Sequence, residues 1–269
     1  VVSKIWLVTG AGSGLGRAIS QEAFKEGHTV VATARDVASV DGFDDAIMLD
    51  VRDPQSVEDA IEQTIRKHGR IDVLVNNAGH GLMGAVEELT DDDLRTVLET
   101  NVFGVLRAVR AVLPHMRAQR SGHIVQMSSV GGVVANPGHA AYATSKFALE
   151  GLSEALAAEA APWGVRVTIV EPGPFRTDFA GRSMRYSSPI EAYAETPAGR
   201  LRHGFADQDG RQPNDPARAA LLILAAIDDP NSPLRLPLGP EAIDRIERKL
   251  ALQTADLHRC AALAADTRF

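Results

Sequence analysis

At 269 residues the chain is long enough for one α/β domain with a full core, and too short for two domains of ordinary size. Hydrophobic residues make up 45% and charged residues 23%, and no apolar run approaches the roughly 20 residues a membrane span needs. A net charge of −7 argues against a nucleic-acid partner, the single cysteine excludes an internal disulfide, and eight scattered histidines show no metal-ligand spacing. That cysteine, Cys260, fits a reducing compartment. The opening residues run straight into a strand with no room for a secretory leader, so a cytoplasmic location is expected.

The first strand is expected at Ile5–Thr9, followed by a glycine-rich turn and a helix over Leu15–Glu26. Thr29–Thr33 reads as the second strand and Ala46–Leu49 as the third. A helix over Pro54–His68 opens on Asp53 as cap and Pro54 in the first turn. Ile71–Val75 is the fourth strand. One long helix is expected over Asp91–Gln119, with Thr90 before an acidic first turn that complements the helix dipole. His123–Met127 is the fifth strand, Ala140–Pro162 a helix and Arg166–Val170 the sixth strand. Pro174–Asn214 has little periodicity, and an irregular stretch of that length in a compact domain predicts a substrate lid. Asp215–Ile227 is helical, Leu234–Leu236 is the seventh strand, and about 240–265 forms a C-terminal amphipathic helix. Alternating strands and helices predict a doubly wound, Rossmann-like α/β sheet of seven parallel strands with helices on both faces. The chain 1–269 is expected to be one domain with a C-terminal helical extension, its site lying beyond the strand C-termini.

Chemistry-bearing residues follow those strands. Gly10, Gly12, Gly14 and Gly16, with Ser13 and Leu15, form a strand-to-helix turn whose backbone amides and helix N-terminus suit an anionic pyrophosphate. Tyr142 and Lys146 stand at i and i+4, on one helix face, so the ammonium can approach the phenol and favour its ionised form. Ser129 ends the fifth strand thirteen residues before Tyr142, with Ser128 as its competitor. Tyr142 would exchange the proton of a carbonyl–alcohol pair while Ser129 donates a hydrogen bond to the same oxygen. Arg35 follows the second strand and can pair with a 2′-phosphate, whereas an inward Asp36 would accept hydrogen bonds from a ribose hydroxyl.

The spacing Thr9-Gly10-x-x-x-Gly14-x-Gly16 resembles the short-chain dehydrogenase/reductase family, in the branch containing hydroxysteroid and retinol dehydrogenases. Asn76-Asn77-Ala78-Gly79, Ser129, Tyr142-x-x-x-Lys146 and Pro172-Gly173-Pro174-Phe175-Arg176-Thr177 match its motifs in order, over roughly residues 4 to 236. The resemblance implies a catalytic set of Asn101, Ser129, Tyr142 and Lys146. Asp50 and Val51 would contact the adenine, Asn77, Ala78 and Gly79 the adenosine pocket, and Pro172, Gly173, Phe175 and Thr177 the nicotinamide. Lys146 would also hold the nicotinamide ribose. Asn101 would anchor a water that relays protons from Lys146; read without the family, it caps or kinks its helix.

Aligned with the family, Ala34 takes the position of the NAD-selecting acid, so Arg35 favours NADP(H), with NAD(H) the alternative through Asp36. Val130, Gly131, His139, Phe179, Met184 and Tyr186 suggest an apolar pocket for a small hydrophobic ketone, aldehyde or secondary alcohol. Trp6, Trp163 and Cys260 read as packing residues. A homodimer or homotetramer through the helices at 91–119 and 140–162 is implied by the family. Two rivals stay open: an epimerase or dehydratase of nucleotide sugars, disfavoured by the short chain, and a cofactor-binding regulatory protein without turnover.

Overall fold

Apolar residues on both sides of the central strands demand cover on both faces, and the sheet is built to receive it. In the computed structural model, which describes residues 3–40, 42–43 and 45–267, nine strands and eight α-helices follow one another. The strands are β1 (Ile5–Thr9), β2 (Thr29–Ala34), β3 (Asp45–Met48), β4 (Val73–Asn76), β5 (Gly81–Met83), β6 (Gly122–Met127), β7 (Val165–Pro172), β8 (Met184–Tyr186) and β9 (Arg235–Leu238). The helices are α1 (Gly14–Lys25), α2 (Pro54–His68), α3 (Asp91–Leu98), α4 (Val105–Gln119), α5 (Ala140–Ala160), α6 (Pro197–Phe205), α7 (Pro216–Asp228) and α8 (Pro240–Ala264).

Seven strands form one parallel sheet in the order β3-β2-β1-β4-β6-β7-β9. The order reverses between β1 and β4, which opens a crevice at their C-terminal ends. Along β1, Trp6 and Val8 face a layer containing Ile19 of α1 and Ile223 and Leu224 of α7. Leu7, between them, faces Ile61 of α2, Val112 of α4 and Leu149 of α5. This two-residue alternation divides the core into two layers within a single domain.

Local signals act where expected. Asp53 accepts from the Gln55 amide, Gly69 closes α2 at φ 77°, and Thr90 and Asp93 cap each other's backbone amides at the start of α3. The seventh strand of the sheet runs two residues beyond the expected Leu236, through Pro237, because β9 is an edge strand and the missing N–H costs no ladder bond.

Three expectations need correction. The helix over Asp91–Gln119 is interrupted by a π-helical turn at Glu99–Gly104, where Gly104 packs so closely on Val51 that an added Cβ would lie 2.9 Å from Val51 Cβ. The segment 174–214 is partly ordered: it holds β8, which pairs in parallel with β5, and the helix α6. Trp6 is buried and stacks on His28, but Trp163 is 42% exposed beneath the guanidinium groups of Arg117 and Arg120, and Cys260 is exposed on α8. No described helix is long and apolar enough to cross a membrane.

Candidate active site

The crevice at the switch point widens into a cavity of about 1100 Å³, at the upper end of what a small-molecule site needs. Its floor is the β1–α1 turn. Gly10 sits at φ 66°, and an added Cβ there would lie 2.9 Å from Ala78 Cα, so the turn can close against the segment after β4 only with glycine. Ser13 precedes α1 in extended geometry, and its side chain does not cap the helix, which leaves the helix N-terminus to a ligand. Gly12, Ser13, Gly14 and Leu15 line the cavity with Gly10. Gly16 does not: it is packed under the Asn77 amide, whose Nδ2 donates to the Thr9 and Gly10 carbonyls.

Arg35, Asp50, Val51, Asn77, Ala78 and Gly79 continue the lining, as do Pro172, Gly173, Phe175 and Thr177 at the other end. The Asp50 carboxylate is clasped by Arg52, whose hydrogen bonds hold it below its ordinary range. Asp36 also borders the cavity, but its carboxylate accepts from the Ala38 amide and its carbonyl from the Ser39 amide and hydroxyl. Arg35 is exposed and makes no side-chain hydrogen bond or ion pair among the described residues.

Ser129, Tyr142 and Lys146 converge on the cavity from the end of β6 and the first turns of α5. Burial pushes the Tyr142 phenol up to about 12, with the Ser129 hydroxyl opposing by favouring the phenolate. Burial also pulls the Lys146 ammonium down to about 8, opposed by the Glu150 carboxylate one turn along α5. The Lys146 Nζ donates to the Met127 carbonyl at 2.7 Å and lies 5.7 Å from the Tyr142 ring centre. In this arrangement desolvation is the largest influence on the phenol, and the ammonium donates to the backbone rather than to the phenol oxygen. The Ser129 Oγ also accepts from the Gly131 amide at 3.0 Å.

Asn101 is 1% exposed and does not line the cavity. Its amide accepts from the His80 N–H at 3.0 Å and donates to the His80 carbonyl and the Ser145 hydroxyl, both at 2.9 Å. These bonds join the π turn to the loop after β4 and to α5. The side chain is thus a brace as well as a helix irregularity.

Val130, Gly131, His139 and Phe179 line the cavity around Tyr142, with the Phe179 and His139 rings 5.6 and 6.4 Å from that of Tyr142. Met184 and Tyr186 do not. They belong to the β5–β8 ladder, where Met184 packs over Gly81 and Tyr186 turns outward beneath Arg202. Sequence reasoning missed Phe205, packed edge-on to His139 at 5.2 Å, and also Asn136, His80 and Arg245. None lies in a motif; the one weak signal was their place in or beyond the irregular segment and next to the motifs. Behind the catalytic helix, Glu150 and Glu171 are buried around Arg235, at 3.3 and 3.5 Å from its Nε. Burial, aided by repulsion from Glu150 and opposed by Arg235, raises Glu171 to about 7.

A family model described as short chain dehydrogenase matches residues 4–186. An oxidoreductase of Botryotinia fuckeliana, BOA17, is 38% identical over 90% of this chain and 91% of the relative. Among solved structures, a short-chain dehydrogenase of Streptomyces avermitilis is 43% identical, with a TM-score of 0.93 over 99% of this chain and all of that one. A Burkholderia phymatum short-chain dehydrogenase/reductase in complex with NAD matches at TM-score 0.80 and 25% identity, over 93% of this chain and 95% of that one. One from Burkholderia cenocepacia in complex with NADP matches at 0.75 and 26%, over 96% and 97%.

Proposed function

Because the chain belongs to the short-chain dehydrogenase family and is an oxidoreductase, we propose that it is an NADP(H)-dependent carbonyl reductase/alcohol dehydrogenase with Tyr142 as its general acid and base. The observation that carries this reading is the convergence of Ser129, Tyr142 and Lys146 on a cavity whose other end is an uncapped helix N-terminus. The nicotinamide supplies or accepts the hydride when bound. The glycine turn, the free α1 terminus and Arg35 would hold its phosphates, and Pro172, Gly173, Phe175 and Thr177 its nicotinamide end.

In reduction, Tyr142 gives its proton to the oxygen that becomes the alcohol, while Ser129 donates a hydrogen bond that strengthens as charge develops there. A phenol held near 12 is fully protonated at neutral pH, which suits the acid role. Lys146 presents a cation beside the phenolate that remains and can turn from Met127 to a cofactor ribose. Since the Asn101 amide is already engaged by His80 and Ser145, its part in this reading is to brace α5 against the loop after β4. The exposed Arg35, without a partner among the described residues, supports NADP(H) over NAD(H), and the Asp36 carboxylate, though it borders the cavity, is partly engaged by the Ala38 amide. His139, Phe179 and Phe205 suit an apolar ketone or secondary alcohol. A cytoplasmic location and a homodimer or homotetramer through α4 and α5 belong to the same reading.

The test is loss of reduced-nicotinamide absorbance with NADPH and with NADH against a panel of hydrophobic ketones and aldehydes. Tyr142→Phe should lower turnover by at least about 100-fold while still binding NADPH. NADPH binding without oxidation by any carbonyl would favour the regulatory alternative instead.

A further inference from the structure

Beyond His139, on the wall of the substrate end, the cavity is bordered by Arg245 from the second turn of α8. One Nη donates to the Asn136 Oδ1 at 2.9 Å, and the Asn136 carbonyl in turn accepts from the His139 amide that leads into the catalytic helix. The guanidinium is half-buried, and that burial lowers its pKa, yet an arginine stays charged and carries five N–H donors. Among the described residues no carboxylate pairs with it. Glu241, one turn earlier on α8, is held by Asn214 at 2.8 Å, and Asp244 is taken by Arg248. His139 supplies no competing charge at neutral pH, since burial and Arg245 itself pull it down to about 4. Arg182, also on the cavity wall, is paired with Asp178, and Arg185 there is exposed, so water rather than a ligand solvates its charge.

A partly desolvated cation facing a cavity without a counter-charge is costly unless a ligand brings one. Its planar fork matches a carboxylate. We infer that Arg245 anchors a carboxylate carried by the substrate, so that the enzyme acts on an oxo acid and the corresponding hydroxy acid. The aromatic rings of His139, Phe179 and Phe205 then pack the apolar chain between the carboxylate and the reacting carbonyl. This rests on the reductase reading and narrows its substrate class.

The experiment compares oxo acids of graded chain length with their methyl esters, using the full chain with NADPH, as wild type, Arg245→Met and Arg245→Lys. Wild type should prefer the acids. The acid-to-ester ratio of kcat/KM should fall about 10- to 100-fold in Arg245→Met, mainly through KM for the acid, and recover in part in Arg245→Lys. An unchanged ratio in Arg245→Met, or no acid preference in wild type, overturns the assignment while leaving the reductase reading intact. If no carbonyl is reduced at all, the reductase reading fails on its own. Calorimetric titration of a hydroxy acid into the NADP-bound protein then decides for Arg245: binding by wild type that Arg245→Met loses supports it, and no binding by wild type overturns it.

Discussion

Glu171→Gln tests the buried carboxylate pair behind the catalytic helix. Glu171 is 2% exposed, and its pKa is raised from 4.5 to about 7 because burial and the neighbouring Glu150 both penalise its charge. Below pH 4.5 the carboxyl is protonated in the folded and unfolded chains alike, and the folded state keeps its full stability there. Between 4.5 and about 7 the unfolded chain releases its proton while the folded protein retains it, so stability falls as pH rises through the folded pKa. At 1.36 kcal/mol per unit, the loss reaches about 3 kcal/mol above pH ~7. Glutamine keeps the shape without the charge, and Arg235 keeps Glu150 and Glu154 as partners. The variant should therefore match wild type near pH 4.5 and melt higher near pH 8.5, by about 6–10 °C for a chain of this size. Thermal melts followed by circular dichroism across that range measure it. A difference in Tm independent of pH, or a wild type more stable than the variant at alkaline pH, would refute the argument.

Ser129→Ala should lower carbonyl reduction about 100-fold through kcat, with NADPH affinity little changed, as read by steady-state rates and a binding titration. Arg35→Ser should weaken NADPH about 10- to 100-fold relative to NADH, read as the ratio of their kcat/KM values; an unchanged ratio would place the phosphate elsewhere. Asn101→Ala orphans the His80 N–H and carbonyl, and should destabilise the fold by about 2–4 kcal/mol in a denaturant titration.

Where residues close in sequence meet through one local geometry, the site was legible before any fold was known. Tyr142 and Lys146 share a helix face because of the 3.6-residue turn, and the glycines of the β1–α1 turn are demanded by close backbone approach. The alternation of apolar runs likewise specified the seven-stranded sheet, and so did the caps at Asp53 and Thr90. Sequence reasoning failed where one position answers to two distant elements. Leu98 and Val105 read as one helix with Asn101, yet the chain makes a π turn there because Asn101 must reach His80 and Ser145 while Gly104 yields to Val51. Met184 and Tyr186 had the right chemistry for a pocket but were drawn into pairing with β5. Arg245 sits on a helix whose pattern reads as a solvated stripe, and Glu171 continues an ordinary apolar strand. The sequence by itself determined the fold class, the glycine turn between β1 and α1 and the helix face shared by Tyr142 and Lys146, because hydrophobic period and backbone sterics act over a few residues. Only the tertiary structure decided which charges lost their water and what faced them, because desolvation and Coulomb interaction depend on distance in space and on what packs around a group.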